Sequence, residues 1–369
     1  MPNVARGPIF IVGSSRSGTS LLRQILNGHD RIWITGETYY FDDLRPSLRT
    51  NGSTRLDPEA RVRTERFFTR FGNRRWRSAR ALEELRGEAD RLGGSADAYF
   101  EAFCRLRARR REREIWGEKT PRHVFRINEM MAAYPGARIV CLVRDPRAVV
   151  ASYRDAWQRA FFRRRRNPKT HFLRARQQYN IVLTALLWNG TVRASYDARA
   201  RFGGERVFIQ SYESLVMTTE DAVRDLTEWL GVGYQESMLD EVKVVASSYA
   251  SVHGTQGISA EPLTRWRKTL TPEEIGIVQM ITGRLMRELG YEREEVSASV
   301  LRLASILVAM PAGIFQALSA NRHRLGRALE FGRRRVSPVL VRRPLGGADD
   351  QVSSSEPGSS SRSRSASLD

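Results

Sequence analysis

The chain has 369 residues, which suffices for one substantial core with appendages or for two domains, and its patterning favours one core with appendages. With 61 Lys and Arg against 41 Asp and Glu the formal charge is +20, so anionic partners are expected; nucleic acid, anionic lipid, an acidic polymer and a polyanionic cofactor all satisfy that charge. Two cysteines, Cys104 and Cys141, exclude a disulfide framework and fit a reducing compartment.

The first apolar run, Ile9 to Val12, reads as a strand. It begins so early that no secretory leader is expected before it, and a cytoplasmic location is. It feeds Gly13-Ser14-Ser15-Arg16-Ser17-Gly18-Thr19-Ser20 and then the helical run Leu21 to Leu26. Strand, glycine-bounded turn and helix in that order gather backbone N–H groups and the positive end of a helix dipole around one anion. Nucleoside-triphosphate loops place Lys after the second glycine to reach the outer phosphates. Here Thr19 stands there, so the loop is expected to hold a single phosphate, with Arg16 acting on what is attached to it and Thr19 and Ser20 adding hydroxyl donors.

The run Ile32 to Ile34 is a second strand, and Glu37 follows it with Tyr39, Tyr40 and Phe41 nearby. Aromatic neighbours are expected to desolvate this carboxylate and suit it to general-base work. From about 44 to 113 the pattern is helical and Arg-rich, an insertion expected to shape an acceptor cleft. Lys119, in Trp116-Gly117-Glu118-Lys119-Thr120-Pro121, is one of four lysines in a chain whose cations are otherwise arginines, so a compact point charge is expected to matter there. His123, close to Lys119 in sequence, is the second candidate base.

Ala137 to Val143 is a third strand, and Arg144-Asp145-Pro146-Arg147 leads from it into a helix bearing Ser152. If Arg144 folds back toward that helix, it and Ser152 address a second phosphate. Alternatively Asp145 caps the helix and Arg144 pairs with a carboxylate. Arg206 to Gln210 is a fourth strand, followed by Ser211-Tyr212-Glu213. Strands alternating with helices predict an α/β fold, a P-loop-type parallel sheet flanked by helices, whose ligands gather at the carboxyl ends of the strands. An apolar helix pair broken at Pro311 is expected between Val296 and Leu325, within a helical and basic extension over 296–345, before a disordered tail over 346–369. That extension suits peripheral attachment to an anionic bilayer. The run Arg163-Arg164-Arg165-Arg166 offers a further contact for an acidic acceptor or a membrane. The histidines, cysteines and carboxylates show no ligand spacing, so no metal is expected.

These motifs together resemble the sulfotransferases that use 3'-phosphoadenosine 5'-phosphosulfate (PAPS), and among them the tyrosylprotein-sulfotransferase-like and related bacterial branch. The resemblance rests on Arg16-Ser17-Gly18-Thr19-Ser20, Gly36-Glu37-Thr38, Lys119-Thr120-Pro121, Arg144-Asp145-Pro146-Arg147 with Ser152, Tyr212-Glu213-Ser214-Leu215 and Arg265-Trp266. It spans roughly residues 7–48 and 114–292, within a sulfotransferase domain over 1–295. It implies that Glu37 deprotonates an acceptor hydroxyl and that Arg16 and Lys119 stabilise the transferring group. It further implies that Arg144 and Ser152 grip the 3'-phosphate and that Tyr212 lines the nucleotide site. Arg265 stands where the family usually has Lys, and 251–259 is loosely alike. The expected acceptor is a hydroxyl of carbohydrate, glycolipid, phenol or peptide, for which a lipid-linked or acidic molecule is compatible; a homodimer is compatible with the sequence, and nucleic acid is not an expected partner. A P-loop small-molecule kinase and a non-catalytic basic protein that binds anions or membranes are the alternatives.

Overall fold

A computed structural model describes residues 7–48, 52–71, 78–155, 179–240, 242 and 257–320. Five strands, β1 (Ile9–Gly13), β2 (Ile32–Thr35), β3 (Ile115–Lys119), β4 (Arg138–Val143) and β5 (Val207–Ser211), form one sheet in the order β2-β3-β1-β4-β5. Every pairing is parallel, so the expected fold class is what the chain adopts. Each strand needs a crossover to return, and helices supply them on both faces.

The alternation along the strands assigns each face its own core. Phe10, Val12, Ile139 and Cys141 point to one side and pack with Tyr99, Phe100 and Phe103 of α4 (Ala96–Arg109). Ile9, Ile11, Val140 and Leu142 point to the other and pack with Leu22, Ile25 and Leu26 of α1 (Thr19–Asn27). α2 (Pro58–Thr69) and α3 (Ala79–Arg91) precede α4 in the segment between β2 and β3. Because α4 lies on the sheet with Tyr99, Phe100 and Phe103 fully buried, the inserted helices form a layer of the core.

Helix α5 (Ile127–Ala133) leads to β4, and α6 (Pro146–Arg154) follows it. Pro146 opens α6 where its missing N–H costs nothing, and the Asp145 carboxylate caps it by accepting from the Arg147 N–H at 2.7 Å. The long α7 (Ile181–Phe202) starts at an Asn180 cap, and β5 runs into α8 (Tyr212–Met217) and α9 (Thr219–Leu230). α10 (Pro272–Glu288) begins with a capping box between Thr271 and Glu274. The C-terminal apolar segment departs from expectation: α11 (Val300–Ala320) runs unbroken through Pro311 instead of forming a helix pair. The Arg163 to Arg166 run, most of 251–259, the basic residues after Ala320 and the tail lie outside the described residues.

β3 is not among the strands that the sequence predicts. Its Gly117, Glu118 and Lys119 look polar, yet the whole strand is buried between β1 and β2. Gly117 is required there, since a Cβ would lie 2.2 Å from the Ile9 carbonyl oxygen.

Candidate active site

Register brings the strand ends to one edge of the sheet: Ile11 pairs with Lys119, Thr35 with Glu118, Gly13 with Leu142 and Val143 with Ser211. The loop Gly13 to Gly18, the Gly36-Glu37-Thr38 turn, Lys119, Arg144 and Tyr212 therefore share that edge. β1, flanked by β3 and β4, is where the connections change direction, the place where such sheets bind ligands.

The loop is held by its own hydroxyls. Ser17 Oγ donates to the Ser14 carbonyl at 2.5 Å, and Ser14 Oγ meets Thr191 Oγ1 of α7 at 2.5 Å. Arg16 adopts a left-handed conformation, φ 79°, unusual for a side chain with a Cβ and tolerated where surrounding contacts fix it. Gly18 has φ 94° and lies against the Tyr212 ring, where a Cβ would come within 2.2 Å of Cδ2. α1 then starts without a side-chain cap at Gly18 and without an acidic residue in its first turn. Its dipole end is thus available to an anion.

Arg144 is 5% exposed and stacks over Tyr212, its guanidinium carbon 4.2 Å from the ring centroid. It donates to the carbonyls of Arg16 at 2.9 Å and Pro262 at 2.5 Å. Its Nε has no partner, and among the described residues no carboxylate pairs with it. Arg16 in turn donates from Nε to Ser152 Oγ at 2.9 Å. Arg16, Arg144, Ser152 and Tyr212 therefore form one cluster. The alternative reading holds for Asp145, which caps α6 and pairs with Arg147, and fails for Arg144, which has no carboxylate partner among the described residues. Burial pushes the Tyr212 phenol above its ordinary value, and Arg144 offsets part of that rise.

Lys119, also buried, joins two parts of the site. Its ammonium donates to Glu37 Oε1 at 2.6 Å and lies 3.4 Å from Ser20 Oγ in the first turn of α1. The Tyr39 hydroxyl donates to Glu37 Oε2. The aromatic desolvation expected of Glu37 is not what surrounds it. Tyr40 and Phe41 turn into the core, and the carboxylate is 34% exposed between an ammonium and a phenol. His123, the second candidate base, is fully buried, edge-on to Phe41 at 5.4 Å, with Nδ1 3.3 Å from Glu118 Oε2. Arg265 ion-pairs with Glu261 at 2.5 Å on a short helix that reaches Arg144 through the Pro262 carbonyl.

Three residues with a part in this geometry were not singled out by the sequence. Glu118, completely buried, accepts from the Thr38 N–H and Thr38 Oγ1, each at 2.9 Å, and from Thr120 Oγ1. It thereby ties the neighbour of Glu37 to the neighbour of Lys119. Glu213 accepts from the Asp145 N–H at 2.9 Å and the Tyr291 hydroxyl at 2.9 Å, locking the β4 and β5 ends together. Arg23, one turn into α1, lies under the Gly36 turn; burial lowers its guanidinium from the ordinary value and the Glu37 carboxylate partly restores it. Glu118 sits among Gly117, Lys119 and Thr120 and carries no sequence signal, and neither does Arg23.

A parallel sheet with a glycine-bounded turn and an uncapped helix start at its switch point, and buried cations beside it, defines a P-loop-type α/β protein. The chain belongs to the sulfotransferase family, whose model matches residues 8–236. It is 25% identical over 312 residues to the nodulation protein NoeE of Sinorhizobium fredii, covering 77% of this chain and 66% of that protein. It is 21% identical over 291 residues to protein-tyrosine sulfotransferase A of Caenorhabditis elegans, covering 77% and 67% respectively. The chain thus spans about two thirds of the length of these relatives. The sulfotransferase domain of the Synechococcus PCC 7002 olefin synthase superposes with a TM-score of 0.50 at 18% identity, covering 77% of this chain and 94% of that domain, a likeness of fold. The resemblance read from the motifs is correct at the level of family and fold.

Proposed function

We propose that this protein moves a sulfuryl group from PAPS to an acceptor hydroxyl, with Glu37 as the general base. The observation that carries this reading is the Lys119 ammonium, in contact with Glu37 and beside Ser20 of the phosphate loop at once. One cation then serves both the group that takes the acceptor proton and the place where negative charge develops on the leaving phosphate.

The fit to the donor rests on this chain's own atoms. The uncapped start of α1, with the Thr19 and Ser20 hydroxyls, suits the 5'-phosphosulfate, while buried Arg144 needs an anion and stands with Arg16 and Ser152 where a 3'-phosphate would supply it. Tyr212, already stacked on Arg144, offers its remaining surface to the nucleotide. When bound, PAPS supplies the sulfuryl group and departs as adenosine 3',5'-bisphosphate. Glu37 accepts the hydroxyl proton as the acceptor oxygen bonds to sulfur, and Lys119 and Arg16 stabilise the charge left on the bridging oxygen as its bond to sulfur breaks. In-line transfer between oxygens asks for placement and charge, which these residues provide without a metal in the scheme. The free, buried Cys104 and Cys141 support a reducing, cytoplasmic setting. The acceptor class stays at a hydroxyl of carbohydrate, glycolipid, phenol or peptide.

Calorimetry with adenosine 3',5'-bisphosphate in EDTA tests the nucleotide part: micromolar or tighter binding is expected, with weaker binding of adenosine 5'-monophosphate. Equal affinities for the two nucleotides would remove the 3'-phosphate assignment, and magnesium-dependent phosphate transfer from ATP would replace this reading with a kinase. Labelled-donor assays over an acceptor panel test the rest. Glu37→Gln is expected to lower turnover by roughly a hundredfold or more while leaving nucleotide affinity nearly unchanged.

A further inference from the structure

α11 carries three of the large hydrophobic side chains that stand exposed among the described residues. Leu301, Val308 and Phe315 are 83%, 81% and 73% exposed. A seven-residue step on an α-helix falls about 20° short of two turns, so the three lie nearly in line. Ala304, Pro311 and Ala312, also exposed, fill the stripe between them. The one charged residue of the helix is Arg302. The body of the protein holds α11 from its other side. The Ser299 N–H, just ahead of it, donates to Glu273 Oε1 at 3.2 Å, and Gly313 passes close to Asn180 Nδ2 at the start of α7.

The charge of the segment beyond α11 decides which occupant fits. Residues 321–345 carry eight arginines and a single acidic residue, Glu330. A second copy of the chain would bring two such cationic arrays together, and their repulsion opposes pairing through α11. An anionic bilayer turns the same charge into attraction while its acyl boundary receives the apolar stripe. Among the described residues no helix is long and apolar enough to cross a membrane, so α11 is suited to lie along a surface. We propose that α11 and the arginine-rich segment after it dock this protein onto an anionic lipid bilayer, with Leu301, Val308 and Phe315 inserted at the interface. This inference is independent of the sulfuryl-transfer reading.

Flotation of the full-length chain with phosphatidylcholine vesicles, with and without phosphatidylglycerol, tests it. The chain is expected to float with the mixed vesicles at low salt, to stay behind with phosphatidylcholine alone, and to lose about tenfold in partitioning at high salt. A variant carrying Leu301→Asp, Val308→Asp and Phe315→Asp is expected to lose flotation at least tenfold with an unchanged melting temperature, because all three side chains face solvent. Failure of the unaltered chain to float, equal binding to neutral vesicles, or undiminished flotation of the triple variant would each overturn the proposal. So would a dimer in sedimentation that the triple variant dissolves, which would assign the stripe to a second copy.

Discussion

Replacing Glu118 asks how strongly one buried carboxylate holds Glu37 and Lys119 together. Glu118 has no exposed surface, and Glu118→Ala withdraws the acceptor used by the Thr38 N–H, Thr38 Oγ1 and Thr120 Oγ1. Thr120 Oγ1 lies 3.2 Å from the Thr38 N–H, so that donor keeps a weaker partner, while the two hydroxyls must find new ones. Each buried donor left without an acceptor costs about 1–3 kcal/mol. For the two hydroxyls together the expected loss is about 2–6 kcal/mol, a large part of a typical domain's 5–15 kcal/mol. Glu118→Gln keeps an acceptor oxygen at the same reach and turns its amide toward His123, so a loss of about 1 kcal/mol is expected. Urea unfolding of the three proteins measures these differences. The functional readout is separate: in the glutamine variant Glu37 and Lys119 drift apart modestly, so kcat falls several-fold while the KM for the donor, set by the loop and Arg144, hardly moves. Equal unfolding midpoints for Glu118→Ala and the unaltered chain would refute the argument, as would a glutamine variant no better than alanine.

Gly18→Ala places a methyl group against the Tyr212 ring and in a left-handed backbone, so nucleotide affinity is expected to drop at least tenfold; calorimetry showing unchanged affinity would mean the loop does not close on Tyr212. Burial pushes both thiols up, Cys141 to about 12, so neither should react with a disulfide reagent at pH 8 in the native protein, and both should react after denaturation. A native thiol titrating within minutes would contradict the packing. Glu65 is buried, and desolvation that would raise its carboxyl is outweighed by hydrogen bonds from Arg86 and Tyr99, leaving it below the ordinary 4.5. Its stabilising contribution is therefore complete above pH 4.5 and is lost as pH falls below that value through the depressed one. The stability gap between the unaltered chain and Glu65→Gln, followed by urea midpoints, should shrink over that acidic range; a gap unaffected by acid would count against this account.

The local chemistry of the site was legible in the sequence because it is sequential. Strand, glycine turn and helix are contiguous between Ile9 and Leu26, and Asp145-Pro146 announces a helix start by the chemistry of its own two residues. Four of the five strands could be read for the same reason, as runs of apolar and β-branched side chains. β3 could not. Its polar Gly117-Glu118-Lys119 becomes a buried strand only when β1 and β2 enclose it and Thr38 and Thr120 donate to one oxygen of its carboxylate. The pairing of Glu37 with Lys119 across 82 residues and the joining of Arg16 to Ser152 across 136 follow from register, which no single segment encodes. The surroundings of Glu37 were misjudged because neighbours in sequence, Tyr40 and Phe41, leave it for the core, while an ammonium from another strand takes their place. Sequence thus determined which residues bring the hydroxyls, cations and carboxylate of the candidate site. The tertiary structure decided which of them meet, because charges and hydroxyls act over a few ångströms and those distances are set by the packing of the sheet.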